Sequence, residues 1–86
     1  MFKLWTDRAW EDYLYWQTQD KKTLRRVNEL IRDIERGAYN GIGQPEELRG
    51  NLSGHWSRRI DKVNRLIYRI QDGNLVILQC RGHYDD

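Results

Sequence analysis

The sequence predicts an α+β domain: an N-terminal strand and two antiparallel helices packed on one face of a mostly antiparallel β-sheet. Three observations carry this. Apolar residues recur at helical spacing between Asp7 and Arg36, and they alternate at strand spacing from Trp56 onwards. Asp72-Gly73 then divides the strand region as a hairpin turn does. With 86 residues, the chain has room for one core and no second, so residues 1–86 form a single domain.

Phe2 to Trp5 reads as the first strand, and Thr6 or Asp7 is placed to cap the helix that follows. Trp10, Tyr13 and Leu14 share a helical face between Asp7 and Gln19. Asp20 can cap a second helix, whose stripe is Leu24, Val27, Ile31 and Ile34. Its other face carries Arg25, Arg26, Glu29, Arg32, Asp33 and Arg36, with Arg25 and Glu29 at i, i+4. That face is read as a solvated one, with a partner face as the alternative, and Gly37 is expected to end the helix at C′. Gly37 to Gly54 holds five glycines and the only proline, and shows no clean period. It is expected to be a structured loop, with Pro45 restraining the backbone before Glu46 and Glu47.

Three strands are expected after it, Trp56–Ile60, Arg65–Ile70 and Leu75–Arg81. Alternation puts Leu66, Tyr68 and Ile70 on one side of the middle strand and Arg65, Ile67 and Arg69 on the other. In the last strand Val76, Leu78 and Cys80 alternate with Ile77, Gln79, Arg81 and, if the strand extends, His83. Setting the two apolar series against the helices leaves Arg65, Arg81 and His83 on the open face. A plain two-residue turn at Asp72-Gly73 breaks that parity, so a three-residue loop or a bulge is predicted, with Gly73 or Asn74 at positive φ.

Composition narrows the function classes. The longest apolar run, Leu75 to Leu78, falls far short of the ~20 residues of a bilayer helix, so no membrane role is expected. A single cysteine excludes an internal disulfide and a thiolate-based zinc site. His55, Cys80 and His83 match no zinc spacing, and Cys80 falls among the core residues, so no metal or other cofactor is expected. No secretory signal is visible at the start, which points to a cytoplasmic protein. Residues 1–47 carry eight basic and nine acidic side chains, whereas residues 48–84 carry seven basic against Asp61 and Asp72. A basic half of this kind suits nucleic acid or an acidic protein.

The remaining polar set is a loop carboxylate (Glu46 or Glu47), arginines on an open sheet face, and a C-terminal His83-Tyr84. Metal-free RNA cleavage needs these parts. A base takes the ribose 2′-OH proton, a cation stabilises the phosphorane, and an acid protonates the departing 5′-oxygen. Solvated surface residues of the same types are the competing reading. Trp56 shares parity with Ile60 and is read as core rather than as a base-stacking platform.

The string Asn51-Leu-Ser-Gly-His-Trp-Ser-Arg-Arg-Ile60, with Asn64-Arg-Leu-Ile-Tyr68 and Cys80-Arg-Gly-His-Tyr84, resembles the YoeB branch of the RelE toxin superfamily. Trp10-Glu-Asp-Tyr-Leu-Tyr-Trp16 and Gly43-Gln-Pro-Glu46 resemble it as well, so the likeness runs from Met1 to Tyr84. It implies a RelE-like fold and a type II toxin: an endoribonuclease (mRNA interferase) that cuts the codon in the ribosomal A site and so inhibits translation. The implied partners are a YefM-like cognate antitoxin, the ribosome with its mRNA, a second copy of the chain, and operator DNA through the antitoxin complex alone. Carried over, Glu46 is the general base, His83 the general acid, Arg65 the phosphate stabiliser, and Tyr84 positions the RNA. Arg59 corresponds to a phosphate-contacting arginine and Arg49 to a position where a family lysine can stand. With Arg81 they make up the RNA- and phosphate-binding set, Arg49 in binding only because arginine stays protonated.

Two departures stand out. His55 occupies a position where the family pattern has an aromatic residue, and Asp85 and Asp86 follow His83-Tyr84. The negative field of those two favours protonated His83, whereas Arg65 and Arg81 oppose it. A non-catalytic inhibitor of translation that binds the ribosome or RNA is the alternative, and a pure protein-interaction module is a third reading.

Overall fold

The computed structural model describes residues 1–83; Tyr84, Asp85 and Asp86 lie outside the described residues. Strand β1 (Lys3–Trp5) leads into α1 (Asp7–Gln19) and α2 (Lys21–Arg36), and then come β2 (Glu46–Glu47), a single 3-10 turn (Gly50–Leu52), β3 (Trp56–Arg59), β4 (Arg65–Gln71) and β5 (Asn74–Gln79). The sheet order is β1-β5-β4-β3-β2, with β1 parallel to β5 and every other pair antiparallel. The expected α+β architecture is therefore present. No helix among the described residues is long and apolar enough to cross a membrane.

The helix boundaries follow the caps. The Thr6 hydroxyl accepts from the Ala9 N–H, and the Asp20 carboxylate accepts from the Lys22 and Thr23 N–H groups, satisfying donors that a helix leaves orphaned. Gly37 ends α2 in extended backbone (φ −166°) rather than in a left-handed cap. Burial in α2 follows the stripe, with Val27, Leu30, Ile31 and Ile34 inside. In α1 the buried positions are Ala9, Asp12 and Trp16, whereas Trp10 and Leu14 are exposed and Tyr13 is half-buried. The expected Trp10–Tyr13–Leu14 face is thus one position set away from the real one, because Asp12 and Trp16 are drawn inward by hydrogen bonds to the last strand. Glu29 pairs with Arg26 at i, i+3, 3.4 Å, and not with Arg25.

The parity of β5 also needs correcting. Gln71 pairs with Asn74, so Asp72-Gly73 is a two-residue turn, and both residues have positive φ (53° and 75°) as a primed hairpin turn requires. Leu75 and Ile77 therefore face the helices with Leu66 and Tyr68, in place of Val76 and Leu78. The irregularity lies inside the strand: Tyr68 pairs with Ile77 but Ile67 with Gln79, leaving Leu78 as the extra residue of a bulge. The carbonyl of Leu78 accepts from the Thr6 hydroxyl at 2.8 Å. Beyond the bulge Cys80 returns to the core and Gln79 turns to the far face. Burial pushes the Cys80 thiol up to about 12, with the Asp12 charge adding to it, so the side chain packs as a small apolar group. The fully buried leucines and isoleucines of this layer each contribute about 1.5–3 kcal/mol. Trp56 packs against the same core and also against the Tyr39 ring, 4.8 Å between centroids.

Candidate functional site

The register across the sheet fixes which side chains share the face away from the helices. Glu46 lies opposite Ser57, Ser57 opposite Ile67, and Ile67 opposite Gln79, a single row crossing four strands. The next row pairs Arg59 with Arg65. This face was expected to be open, but Ser57, Ile67, Gln79 and Arg65 are all buried on it. It is a floor with a charged rim, where Glu46, Arg59 and His83 are exposed. Ser57 and Gln79 were not singled out from the sequence; only the register reveals them.

Glu46 opens the two-residue edge strand β2, whereas a loop was expected there. Within the five residues ahead of it the backbone is unusual: Gly41, Gly43 and Gln44 have φ of 126°, 80° and 53°. Gln44 is a non-glycine residue held in the left-handed region directly before Pro45, which is the sort of strain that surrounding structure must enforce.

Arg65 starts β4. One guanidinium nitrogen donates to the Asp61 and Asn64 carbonyls at 2.8 and 3.1 Å, which fixes the group beside the turn that precedes it. That turn is self-supported: the Asp61 carboxylate accepts from the Val63 and Asn64 N–H groups and from the Asn64 amide. Burial raises the Asp61 pKa, but these hydrogen bonds outweigh it and hold the carboxyl below its ordinary range. Asn64 also reaches the C-terminal segment, accepting from Gly82 N–H at 2.7 Å, while Arg65 N–H donates to the Gly82 carbonyl at 3.0 Å.

The segment carrying His83 is held from the other side by α1. The Trp16 indole N–H donates to the Cys80 carbonyl at 2.8 Å, and the Asp12 carboxylate accepts from Cys80 N–H at 3.1 Å. The Gln79 amide donates to the Arg81 and His83 carbonyls, bringing the His83 backbone to the face that bears Glu46 and Arg65. Arg81 does not join them. Its guanidinium lies 3.5 Å from the Tyr15 ring centroid on α1, a cation–π contact, so its expected place on the open face is revised. Arg49 is exposed just ahead of the 3-10 turn. His55 is half-buried, with Nδ1 buried and unpartnered, and its carbonyl accepts from Leu48 N–H beside β2. The role expected of Tyr84 and the field of Asp85 and Asp86 fall outside the described residues.

One residue was misjudged from charge alone. Arg58 counts towards the basic half, yet it is fully buried on the helix side of β3, where it pairs with Asp33 and donates to the Gly37, Asn40 and Ile42 carbonyls. Hydrogen bonding from Ile42 N–H and from Arg58 holds the Asp33 carboxyl below its ordinary range. The sequence signal available for this was parity: Arg58 shares a face with Trp56 and Leu66.

A charged, partly enclosed face with a carboxylate, two opposed arginines and a histidine segment can position a phosphodiester and exchange protons with it. The family model described as "YoeB-like toxin of bacterial type II toxin-antitoxin system" matches residues 5–84. Toxin YoeB of Escherichia coli K12 is 49% identical over 81 residues, covering 94% of this chain and 96% of that protein. Toxin YoeB of Synechocystis is 53% identical over 79 residues, covering 92% of each. Among solved structures, the YoeB/ParE toxin from Agrobacterium tumefaciens superposes with a TM-score of 0.95 at 41% identity, over 98% of this chain and 100% of that one. The chain in the heterotetrameric YoeB–YefM complex of Staphylococcus aureus gives 0.90 at 41% identity, over 98% of each. At 14% identity and a TM-score of 0.79, over 94% of this chain and 91% of that one, YafQ H87Q from E. coli shares the fold alone. By sequence along nearly its whole length and by structure, the chain belongs to the YoeB toxins of type II toxin–antitoxin systems, within the RelE superfamily.

Proposed function

We propose that the protein is a ribosome-dependent mRNA interferase that cuts mRNA in the A site and thereby stops translation. The observation that carries this reading is the face itself: Glu46, Arg59 and Arg65 lie on adjacent cross-strand rows, and the His83 backbone is tied to Gln79 on the same rows. Glu46 accepts the 2′-OH proton, the 2′-oxygen attacks the adjacent phosphorus, and His83 protonates the 5′-oxygen as the P–O bond breaks. Arg65, prefixed by two carbonyls, stabilises the charge that develops on the phosphorane without reorganising. Arg59 and Arg49 contribute phosphate contacts, and Tyr84 positions the RNA. Arg81 serves RNA binding from the α1 side of the C-terminal segment. The site is small and offers few groups to grip bases, so the ribosome supplies the alignment of the mRNA.

The YoeB–YefM complex and the YoeB dimer of S. aureus support a YefM-like antitoxin and a second copy of the chain as partners. Operator DNA is contacted through the antitoxin, and the protein works in the cytoplasm, where ribosomes are. Cleavage by programmed ribosomes with Glu46→Ala, His83→Ala and Arg65→Ala variants tests the reading. A large fall in the cutting rate, to a slow residual rate, with folding and ribosome binding retained, is expected for each. Normal cutting by Arg65→Ala removes its phosphate role.

A further inference from the structure

Glu46 stands on an edge strand of two residues, a ladder too short to specify its own register. Something else must place the carboxylate. The chain that delivers it leaves α2 at Arg36 and crosses residues 37–45, where Gly37, Ala38, Asn40 and Ile42 each present a carbonyl to one buried polar cluster. At its centre Arg58 spreads all three guanidinium nitrogens: one to the Ile42 carbonyl and the Asp33 carboxylate, one to Gly37 and Asn40, and Nε to the Tyr68 hydroxyl at 3.2 Å. The Tyr68 hydroxyl in turn donates a hydrogen bond to the Ala38 carbonyl, and Asp33 also accepts from Ile42 N–H at 3.0 Å. The adjacent Arg59 N–H donates to the Gly43 carbonyl at 2.7 Å.

The packing leaves no slack. A Cβ on Gly41 would meet Asp33 Oδ2 at 2.0 Å and an Arg58 nitrogen at 3.1 Å, and one on Gly43 would meet Leu30 at 2.8 Å. A buried charge held this way is a poor device for stability alone, since apolar residues of similar volume serve as well or better. It is a good device for imposing one conformation on a loop with three residues at positive φ.

We infer that Arg58, Asp33 and Tyr68 are positioning residues for Glu46: they set the path of residues 37–45 and so the placement of the base. This rests on the reading of Glu46 given above. Arg58 lies on the opposite side of the sheet from the Glu46 side chain, so its action runs through the backbone and not through contact with RNA.

The test is single-turnover cleavage of mRNA on programmed ribosomes by wild type, Tyr68→Phe, Glu46→Ala and the double variant. Tyr68→Phe keeps the ring and removes only the hydroxyl, and Arg58→Lys, which keeps the charge but loses the fork, serves as the second variant. Tyr68→Phe is expected to cut about 10- to 100-fold more slowly, the scale of a small misplacement of a reacting group, with ribosome affinity unchanged. In the Glu46→Ala background the same substitution is expected to cost nothing further, because the group it positions has gone. An equal loss in both backgrounds, or wild-type rates from both Tyr68→Phe and Arg58→Lys, overturns the inference while leaving the role of Glu46 standing. Wild-type cutting by Glu46→Ala alone overturns the Glu46 assignment itself, and the inference with it.

Discussion

Arg59 and Arg65 stand directly opposite each other across the β3–β4 pair, two like charges at adjoining positions on one face. Such a pair costs roughly 0.2–1 kcal/mol in a bare sheet. An anion between them converts the cost into binding. Replacing chloride by phosphate at constant ionic strength is therefore expected to raise the melting temperature of the wild type. Arg59→Gln is expected to lose that response and to gain roughly 0.2–1 kcal/mol in chloride, as read by thermal unfolding. A phosphate response unchanged in Arg59→Gln would place the anion elsewhere.

The two ends of the glycine set behave differently. Gly41→Ala places a methyl group against Asp33 at a φ of 126°, so it should cost about 1–3 kcal/mol in chemical denaturation. Gly73→Ala meets nothing within 4 Å, and its cost should stay near the roughly 1–2 kcal/mol of a left-handed backbone alone. Equal losses would mean that the Asp33 side chain yields freely.

Asp33 also sets part of the acid stability. Its folded pKa is held below the ordinary 3.8 by Ile42 N–H and Arg58, so its contribution is fully present above 3.8 and drains away as pH falls through the lower folded value. Asp33→Asn should be less stable than wild type at neutral pH, and the gap should close below pH 3.8. Urea midpoints across that range measure it, and a gap independent of pH contradicts the assignment.

Thr6 joins two features through one hydroxyl, capping α1 at Ala9 N–H and accepting nothing from the bulge but donating to its Leu78 carbonyl. Thr6→Val removes both bonds at constant shape and should cost about 1–2 kcal/mol, while Thr6→Ser should retain most of the stability. A harmless Thr6→Val would show that water replaces both partners.

The helices, their N-caps and the place of the hairpin could be read from the sequence because each depends on neighbours in the chain: Asp20 caps whatever follows it, and Asp72-Gly73 marks a turn wherever the strands go. The turn's length could not, because the three-residue loop expected from parity rested on the wrong face of the last strand; the loop has two residues and the irregularity is the bulge at Leu78. The β5 face could not, because a strand with Leu75, Val76, Ile77 and Leu78 in succession has apolar residues for both sides, and the bulge at Leu78 depends on Thr6, 72 residues away. Arg58 was misplaced for the same reason: a charge inside the fold depends on Asp33, Tyr68 and a loop with its carbonyls turned inward, none of them local. At the site, residue types suggested Glu46 or Glu47 with Arg65 and His83, and the family resemblance chose Glu46, but only the register put Glu46 in line with Ser57, Ile67 and Gln79, and only the structure turned Arg81 onto Tyr15.

On the proposed function, this face cuts RNA held by the ribosome. The direct measurement is to incubate the protein with ribosomes programmed with one defined A-site codon and to map the mRNA ends by primer extension. A single cut inside that codon, absent with His83→Ala, is the expected result. Intact mRNA with translation still blocked would contradict it, and would make the protein a binding inhibitor.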